Sequence, residues 1–476
     1  MNREAFGPDI HSSASIEIAE VLPASRKLGL LPLTAVIFFT VCGGAFGIEP
    51  LVGKVGAGWA ILLIVVTPLM WSVPISLMVS ELASAMPVEG GYYVWVKRAL
   101  GSFWGFQEGW WTCLYTSVDM AIYPVLFVNY LAYFVPFLRP DANGDLSWEQ
   151  FFSRWAIAAG LIAFALALNW RGARAVGYNS VAFLLVIVVP FAILSYLGLA
   201  SLVGGLDASW RAVASGFGTS HVNAGLLAVG LATVVWNYSG WDNVSTFAGE
   251  VRDASRSYPR ALFAAMGLAV LVYLIPTFAL VGHTTDAGVW NESAGFPALA
   301  EMVGGPALGT LIAMAALFSA WSLFNSQILY ASRLPYAMAR DGWFPGFLTR
   351  VNVTTGVPTT ALLVCCGLSA LFAALPFGKL VVIDVILYSA EVLLEFVALM
   401  VLRRKEPDLP RPFKIAGGWP VLVLITAAPT AFAAAVVWAT LSDAETDPRH
   451  LWVLAAGLVS GVLLYFVRRG KAGSAA

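Results

Sequence analysis

Long, almost uninterrupted apolar stretches run through the whole chain, and no other feature limits its fold so strongly. Twelve of them cover residues 28–56, 58–83, 101–135, 154–170, 176–204, 222–249, 259–282, 305–338, 357–376, 379–402, 417–441 and 449–467. A helix needs about 20 mainly apolar residues to cross the hydrocarbon of a bilayer, and each run meets or approaches that length. An outer-membrane barrel would instead show strands of about ten residues with alternating polarity. The expected fold is an all-α integral membrane protein with 12 transmembrane helices.

Composition closes off the other classes. Apolar residues make up 59% of the chain and charged residues 12%, where soluble domains carry roughly 45–50% and 25%. That excludes a disordered chain and an ordinary soluble enzyme. A net charge of −1 supplies no bulk field for a polyanion, so nucleic acid is not an expected partner. The bilayer is.

Loop charges orient the bundle. With the N-terminus in the cytoplasm, the outer loops keep only Lys54, Arg139, Arg154, Arg211, Lys379 and Arg449, and the inner side holds the other 21 of 27 basic residues. Such a bias, alternating correctly along the runs, is the positive-inside pattern. It places both termini in the cytoplasm and the chain in the plasma (inner) membrane. Residues 1–27 lack the features of a cleaved leader and read as a polar tail. Residues 28–470 then form one membrane domain, and 471–476 a short tail. Cys42, Cys113, Cys365 and Cys366 all fall inside runs without metal or redox spacing and are expected as apolar filling. His11, His221, His283 and His450 sit in the tail or near membrane edges, so no metal and no cofactor is expected.

Two runs are interrupted at matching places. The first contains Val41-Cys42-Gly43-Gly44-Ala45-Phe46-Gly47-Ile48-Glu49, and the sixth Val235-Trp236-Asn237-Tyr238-Ser239-Gly240-Trp241-Asp242-Asn243. Each break is followed by a carboxylate. Small residues at one break could serve helix packing alone. Paired breaks point instead to inverted repeats, 28–204 and 222–402, with 417–441 and 449–467 peripheral and a substrate held between the broken helices. The glycines do not read as a nucleotide loop, because the G-x-G-x-x-G order, a preceding strand and a Walker lysine are all missing.

Two further segments carry a family resemblance. Gly90-Gly91-Tyr92-Tyr93-Val94-Trp95-Val96-Lys97-Arg98-Ala99-Leu100-Gly101 and Ser332-Arg333-Leu334-Pro335-Tyr336-Ala337-Met338-Ala339-Arg340-Asp341-Gly342 resemble signatures of the amino acid/polyamine/organocation permeases. Gly105–Trp110, Val118–Phe127, Trp241–Val251, Leu387-Tyr388, Leu394-Glu395-Phe396 and Arg403-Arg404-Lys405 resemble its polyamine-uptake branch, within the L-type amino acid transporter-like family. The resemblance implies a LeuT-like fold of five plus five helices, broken at helices 1 and 6, with two peripheral helices. It implies alternating access driven by protons or by exchange. It also implies that the acid matching Asp242 contacts a substrate ammonium beside an aromatic matching Trp236, with Tyr123 and Tyr388 in the same pocket. Two departures stand out: the fifth run has no lysine, and Glu391 replaces the small residue expected there.

The acids argue independently. Glu49, Glu81, Glu108, Asp119, Asp242, Glu250, Asp384, Glu391 and Glu395 lie in or at the ends of runs, with almost no basic residue at depth. Each charge at the bilayer centre costs about 2.5–3.5 kcal/mol even on insertion scales. Such acids need protons, a bound cation or nearby water. Glu81 and Glu250 read as end caps or partners of loop arginines, and Glu395, two turns from Arg403, as structural. Glu108 is balanced between structure and proton handling, and Asp384 reads as solvated or part of a gate.

The expectation is a secondary transporter, not an enzyme, that imports a polyamine or basic amino acid by proton symport; the alternative is a neutral amino acid permease or exchanger. Amides at Gly43, Gly44 and Ala45 would take a carboxylate, and Asp242 the ammonium. Trp236 and Trp241 would assist by cation–π attraction. Phe46 would act as a lid, and Asp119, Tyr123, Gly240 and Tyr388 would complete the site. Glu49, Asp119 and Glu391 are the proton-coupling candidates. Ser319 and Ser322 leave a sodium site open.

Overall fold

The computed structural model describes residues 29–87, 90–141, 145–170, 176–218, 224–291, 295–352, 357–442 and 448–472. The expected N-terminal tail, His11, His221 and the side chains of Glu250 and His450 lie outside the described parts. All regular elements among the described residues are helical, with no strand. The α-helices are α1 (Leu30–Val41), α2 (Glu49–Thr67), α3 (Val73–Ala85), α4 (Gly91–Leu100), α5 (Ser102–Leu131), α6 (Trp148–Asn169), α7 (Val176–Ala200) and α8 (Leu206–Gly216). They continue as α9 (Ala224–Asn237), α10 (Ala254–Val281), α11 (Gly295–Ala331), α12 (Arg333–Arg340), α13 (Thr359–Phe372), α14 (Phe377–Lys405), α15 (Gly418–Ser442) and α16 (Pro448–Ala472).

Seven segments are long and apolar enough to cross a membrane, among them Glu49–Ala85, Ser102–Leu131 and Phe377–Lys405. Leu30–Val41, Leu184–Ala200, Thr359–Phe372 and Ala455–Arg468 are shorter apolar helices. The chain is a multi-pass, all-helical membrane protein.

Local chemistry sets the breaks. After Val41 the backbone enters the left-handed region at Gly43 (φ 59°), Gly44 (φ 115°) and Gly47 (φ 86°), which residues with a Cβ rarely occupy. Helix α2 restarts at Glu49, with Pro50 in its first turn, where a missing N–H does no harm. Gly56 (φ 82°, ψ 160°) interrupts α2, so the boundary expected between the first two runs falls on a glycine. Pro68–Ser72 then forms a π turn into α3. In the sixth run, Gly240 (φ 95°) ends the helical path after α9, and Asn243–Glu250 continues as a 3-10 helix.

The eighth run departs from its expected span of 305–338. Helix α11 starts earlier, bends at Gly305 (φ 72°) just before Pro306, and stops at Ala331. The remainder turns at Ser332 into the separate helix α12. Pro335 lacks the N–H that would bond back to Ala331, so α11 cannot simply continue there.

Helices α5 and α14 pack along each other, and α11 also packs on α5. Helix α10 packs on α1, and α9 on α2 and α14. The two breaks thus lie inside a helical cage. Asn237 donates from its side-chain amide to the Gly47 carbonyl at 3.4 Å. A Cβ on Gly240 would stand 3.2 Å from the Thr40 carbonyl oxygen. Chain segments this close leave no room for a side chain between them.

Candidate functional site

A narrow cavity opens where the breaks meet. Its volume is about 10 Å³, room for about one water molecule. Thr40 and Val41 from the end of α1, and Trp236, Ser239, Gly240 and Asn243 around the sixth break, form one side. Helix α5 supplies Tyr115, Asp119 and Tyr123, and α14 supplies Asp384 and Tyr388. The four-residue spacings put each set on a single helix face.

Asp119 is fully engaged. The Tyr123 hydroxyl donates to its Oδ1 at 3.1 Å, the Trp236 indole N–H donates to the same oxygen at 3.2 Å, and the Gln327 amide donates to Oδ2. Gln327 also donates to the Tyr123 hydroxyl at 2.8 Å. Asp242 is held differently. The Tyr388 hydroxyl donates to Asp242 Oδ1 while accepting the Gly240 N–H at 2.9 Å. Asp242 Oδ2 is buried with no hydrogen-bond partner. A buried carboxylate oxygen without a donor is costly, and a substrate cation or a proton would relieve that cost.

The walls are aromatic. Tyr115 and Tyr388 stand edge to face at 5.3 Å between ring centroids, and Trp236 lies 6.1 Å from Tyr123 and 5.5 Å from Phe377. Tyr115 also donates to Asn243 Oδ1. Such faces suit an ammonium.

Other expected site residues fall outside the cavity lining, and Asp242, which reaches it only through Tyr388, is one of them. Glu49 caps the first break: Gly47 N–H donates to its Oε2 at 2.6 Å, and the Tyr130 hydroxyl donates to Oε1 at 2.7 Å. Phe46 packs 4.9 Å from Phe191 and 5.2 Å from Tyr130. Trp241 turns its indole N–H to the Tyr238 carbonyl at 2.7 Å. The Gly43 carbonyl accepts from the Ser319 hydroxyl, and the Ser322 oxygen has no partner among the described residues. Gly43, Gly44 and Ala45 follow Thr40 and Val41 in the chain and do not line the cavity. Glu391 lies deeper on α14, close to Glu108 and Glu395.

Glu81 takes Arg403 and Arg411, at 2.5 Å and 3.1 Å. Glu81 thus pairs with arginines, as its place near a helix end suggested, and Arg403 is one of them. Cys42, Cys365 and Cys366 are buried and free, and Cys113 is half-buried and free.

The sequence reading missed Thr40, Val41, Tyr115, Ser239, Asn243 and Gln327, and it did not assign Asp384 to the pocket. Tyr115 and Asp384 were within reach, four residues from Asp119 and Tyr388 on the same helix faces. Gln327 carried no local signal.

The family model described as amino acid permease matches residues 28–462. A polyamine transporter of Oryza sativa subsp. japonica, PUT1, is 34% identical over 452 residues, covering 94% of this chain and 81% of that protein. Polyamine transporter RMV1 of Arabidopsis thaliana is 33% identical over 441 residues, covering 92% and 84%. The large neutral amino acids transporter small subunit 2 of Oryctolagus cuniculus is 26% identical over 460 residues, covering 93% and 80%. The chain belongs to the amino acid permease family of the amino acid/polyamine/organocation superfamily, and is a transporter rather than an enzyme.

Proposed function

We propose that this chain imports a cationic amine, with a polyamine favoured over a basic amino acid, by proton symport and alternating access. The observation that carries the reading is Asp242, whose Oδ1 is held by the cavity-lining Tyr388 while its Oδ2 is buried without a hydrogen-bond donor. The polyamine transporters of rice and Arabidopsis among its relatives support the same substrate class.

In this reading the membrane domain, residues 28–470, has twelve spans. Its repeats, 28–204 and 222–402, are inverted, helices 1 and 6 are broken, and 417–441 and 449–467 are peripheral. Both termini face the cytoplasm from the plasma membrane. Thr40 and Val41, which the first-break glycines follow in the chain, and the Ser239-Gly240 turn form the floor on which the substrate rests. Asp242 takes an ammonium, with Tyr388 steering the carboxylate, and Trp236 and Tyr123 offer π faces around Asp119. Asp119, Glu49 and Glu391 exchange the coupling proton. Deprotonated Glu49 accepts from Gly47 N–H and Tyr130, so loss or gain of its proton changes the hold on the first break. The repeats rock about this site to expose it to alternate sides.

Purified protein in liposomes, assayed with labelled putrescine, spermidine, arginine and leucine, tests the proposal. A proton gradient is expected to drive cationic uptake in wild type, and Asp242→Asn to abolish it. Leucine uptake alone, or cationic uptake that survives Asp242→Asn, would overturn it. A separate sodium gradient decides whether Ser319 and Ser322 serve an ion instead.

A further inference from the structure

Two helices carry matching acidic ladders. On α14, Asp384, Tyr388, Glu391 and Glu395 recur at spacings of four, three and four residues, which places them on one face. On α5, Glu108, Thr112, Tyr115, Asp119 and Tyr123 follow the same rhythm. The helices pack along each other, and the ladders meet rung by rung. Asp119 and Asp384 both line the cavity. Tyr115 meets Tyr388 edge to face at 5.3 Å. Glu108, Glu391 and Glu395 bring one oxygen each within 4.8 Å of one another. Asp119 to Glu108 and Asp384 to Glu395 are the same eleven residues, about 16 Å of helix axis.

The deeper end is a built site by more than its acids. All six oxygens of Glu108, Glu391 and Glu395 are buried and lack hydrogen-bond partners. Asp242 Oδ2 is likewise fully buried and unpartnered, and its other oxygen is held by Tyr388, one α14 turn before Glu391. The Tyr330 hydroxyl on α11, a helix packed on α5, is also buried and unpartnered. Thr112 flanks Glu391 while donating to the Glu108 carbonyl at 2.8 Å. Three converging carboxylate oxygens, one from each acid and none with a donor, match the three N–H donors of a primary ammonium. Among the described residues no basic side chain pairs with any of the three.

We propose that the facing ladders of α5 and α14 form a two-ended site that selects linear tetraamines over shorter amines by length, with one terminal ammonium between Asp119 and Asp384 and the other among Glu108, Glu391 and Glu395. Asp242 and the Tyr115–Tyr388 pair bracket an inner nitrogen and the methylenes. A four-carbon diamine is too short to engage both ends, whereas a tetraamine reaches both. An amino acid, with a carboxylate at one end, is repelled by either. The inference rests on cationic-amine transport as proposed above.

Competition against labelled spermidine uptake in proteoliposomes tests it, with putrescine, spermine and n-butylamine as competitors. Wild type is expected to prefer spermine over n-butylamine by well over tenfold, and over putrescine by about tenfold. Glu395→Gln is expected to compress the spermine-to-butylamine ratio by about tenfold, and Glu395→Asp to restore part of it. If Glu395→Gln does not accumulate, Glu108→Gln reads the same ratio. A ratio unchanged in the variants, or all competitors weakened equally, would overturn length selection while leaving amine transport standing. A wild type that takes up no cationic amine would overturn the underlying reading instead. Thermal stabilisation of purified protein by Ca²⁺ or Mn²⁺ that Glu395→Gln removes, with none by spermine, would assign the deeper cluster to a metal and overturn the proposal.

Discussion

The Tyr388 hydroxyl donates to the Asp242 carboxylate and accepts the Gly240 N–H at 2.9 Å, so one phenol on α14 ties down both the charge and the backbone of the sixth break. Tyr388→Phe removes this tie but keeps the ring contact with Tyr115 at 5.3 Å. A hydrogen bond to a charged group contributes about 1.5–3 kcal/mol, so amine uptake is expected to fall about tenfold or more. Kinetics in liposomes check this; unchanged KM and Vmax would remove Tyr388 from the site.

A buried carboxylate with two arginines holds the fold rather than the cavity. Glu81 is buried against the guanidinium groups of Arg403 and Arg411, and it also accepts the Ile415 N–H at 2.9 Å. Glu81→Gln leaves two largely buried arginines without their anion, which costs about 3–5 kcal/mol in comparable buried pairs. Thermal unfolding of the detergent-purified variant should show a clear drop in Tm. An unchanged Tm would mean that the pair contributes nothing to stability.

Gly47 joins the first break to the pocket wall. Its φ is 86°, and a Cβ there would lie 2.8 Å from the Trp236 ring and 3.3 Å from Phe377. Gly47→Ala combines left-handed backbone strain of roughly 1–2 kcal/mol with a push on the residue that donates to Asp119. Uptake is expected to fall while the protein still reaches the membrane. Normal uptake with normal expression would show that the break tolerates a Cβ.

Glu49 separates coupling from binding. Its carboxylate gathers Gly47 N–H, Tyr130 and, at 3.4 Å, Phe296 N–H, yet it does not line the cavity. Glu49→Gln keeps an acceptor oxygen but cannot exchange a proton. Counterflow exchange of preloaded substrate is expected to persist while proton-driven accumulation is lost. Accumulation equal to wild type would exclude Glu49 from coupling.

Asp341 accepts from Tyr93 at 2.5 Å and from Lys97 at 2.6 Å, and Arg98 pairs with Glu406 at 2.6 Å. These contacts fasten α4 to the chain after α12 and after α14. Asp341→Asn weakens one fastening without touching the cavity, so Vmax should change with little effect on KM. A selective rise in KM would place Asp341 in substrate binding.

The helices, their apolar character and both breaks follow from local chemistry. Apolar runs of about 20 residues leave the backbone no option in lipid but a helix. Gly43, Gly44, Gly47 and Gly240 mark the places where the backbone reverses its φ, because those conformations admit almost nothing else. The eleven-residue ladders on α5 and α14 were likewise present in the spacing of acids and tyrosines.

What the linear order could not supply was partnership. Only packing decides that Gln327, 208 residues from Asp119, satisfies that carboxylate while Asp242 keeps a bare oxygen. Only packing sends Arg403 to Glu81 and leaves Glu395 with Glu108 and Glu391. The reason is physical: spacing along a helix determines which residues share a face, but the energy of a buried charge depends on what the neighbouring helix brings against it.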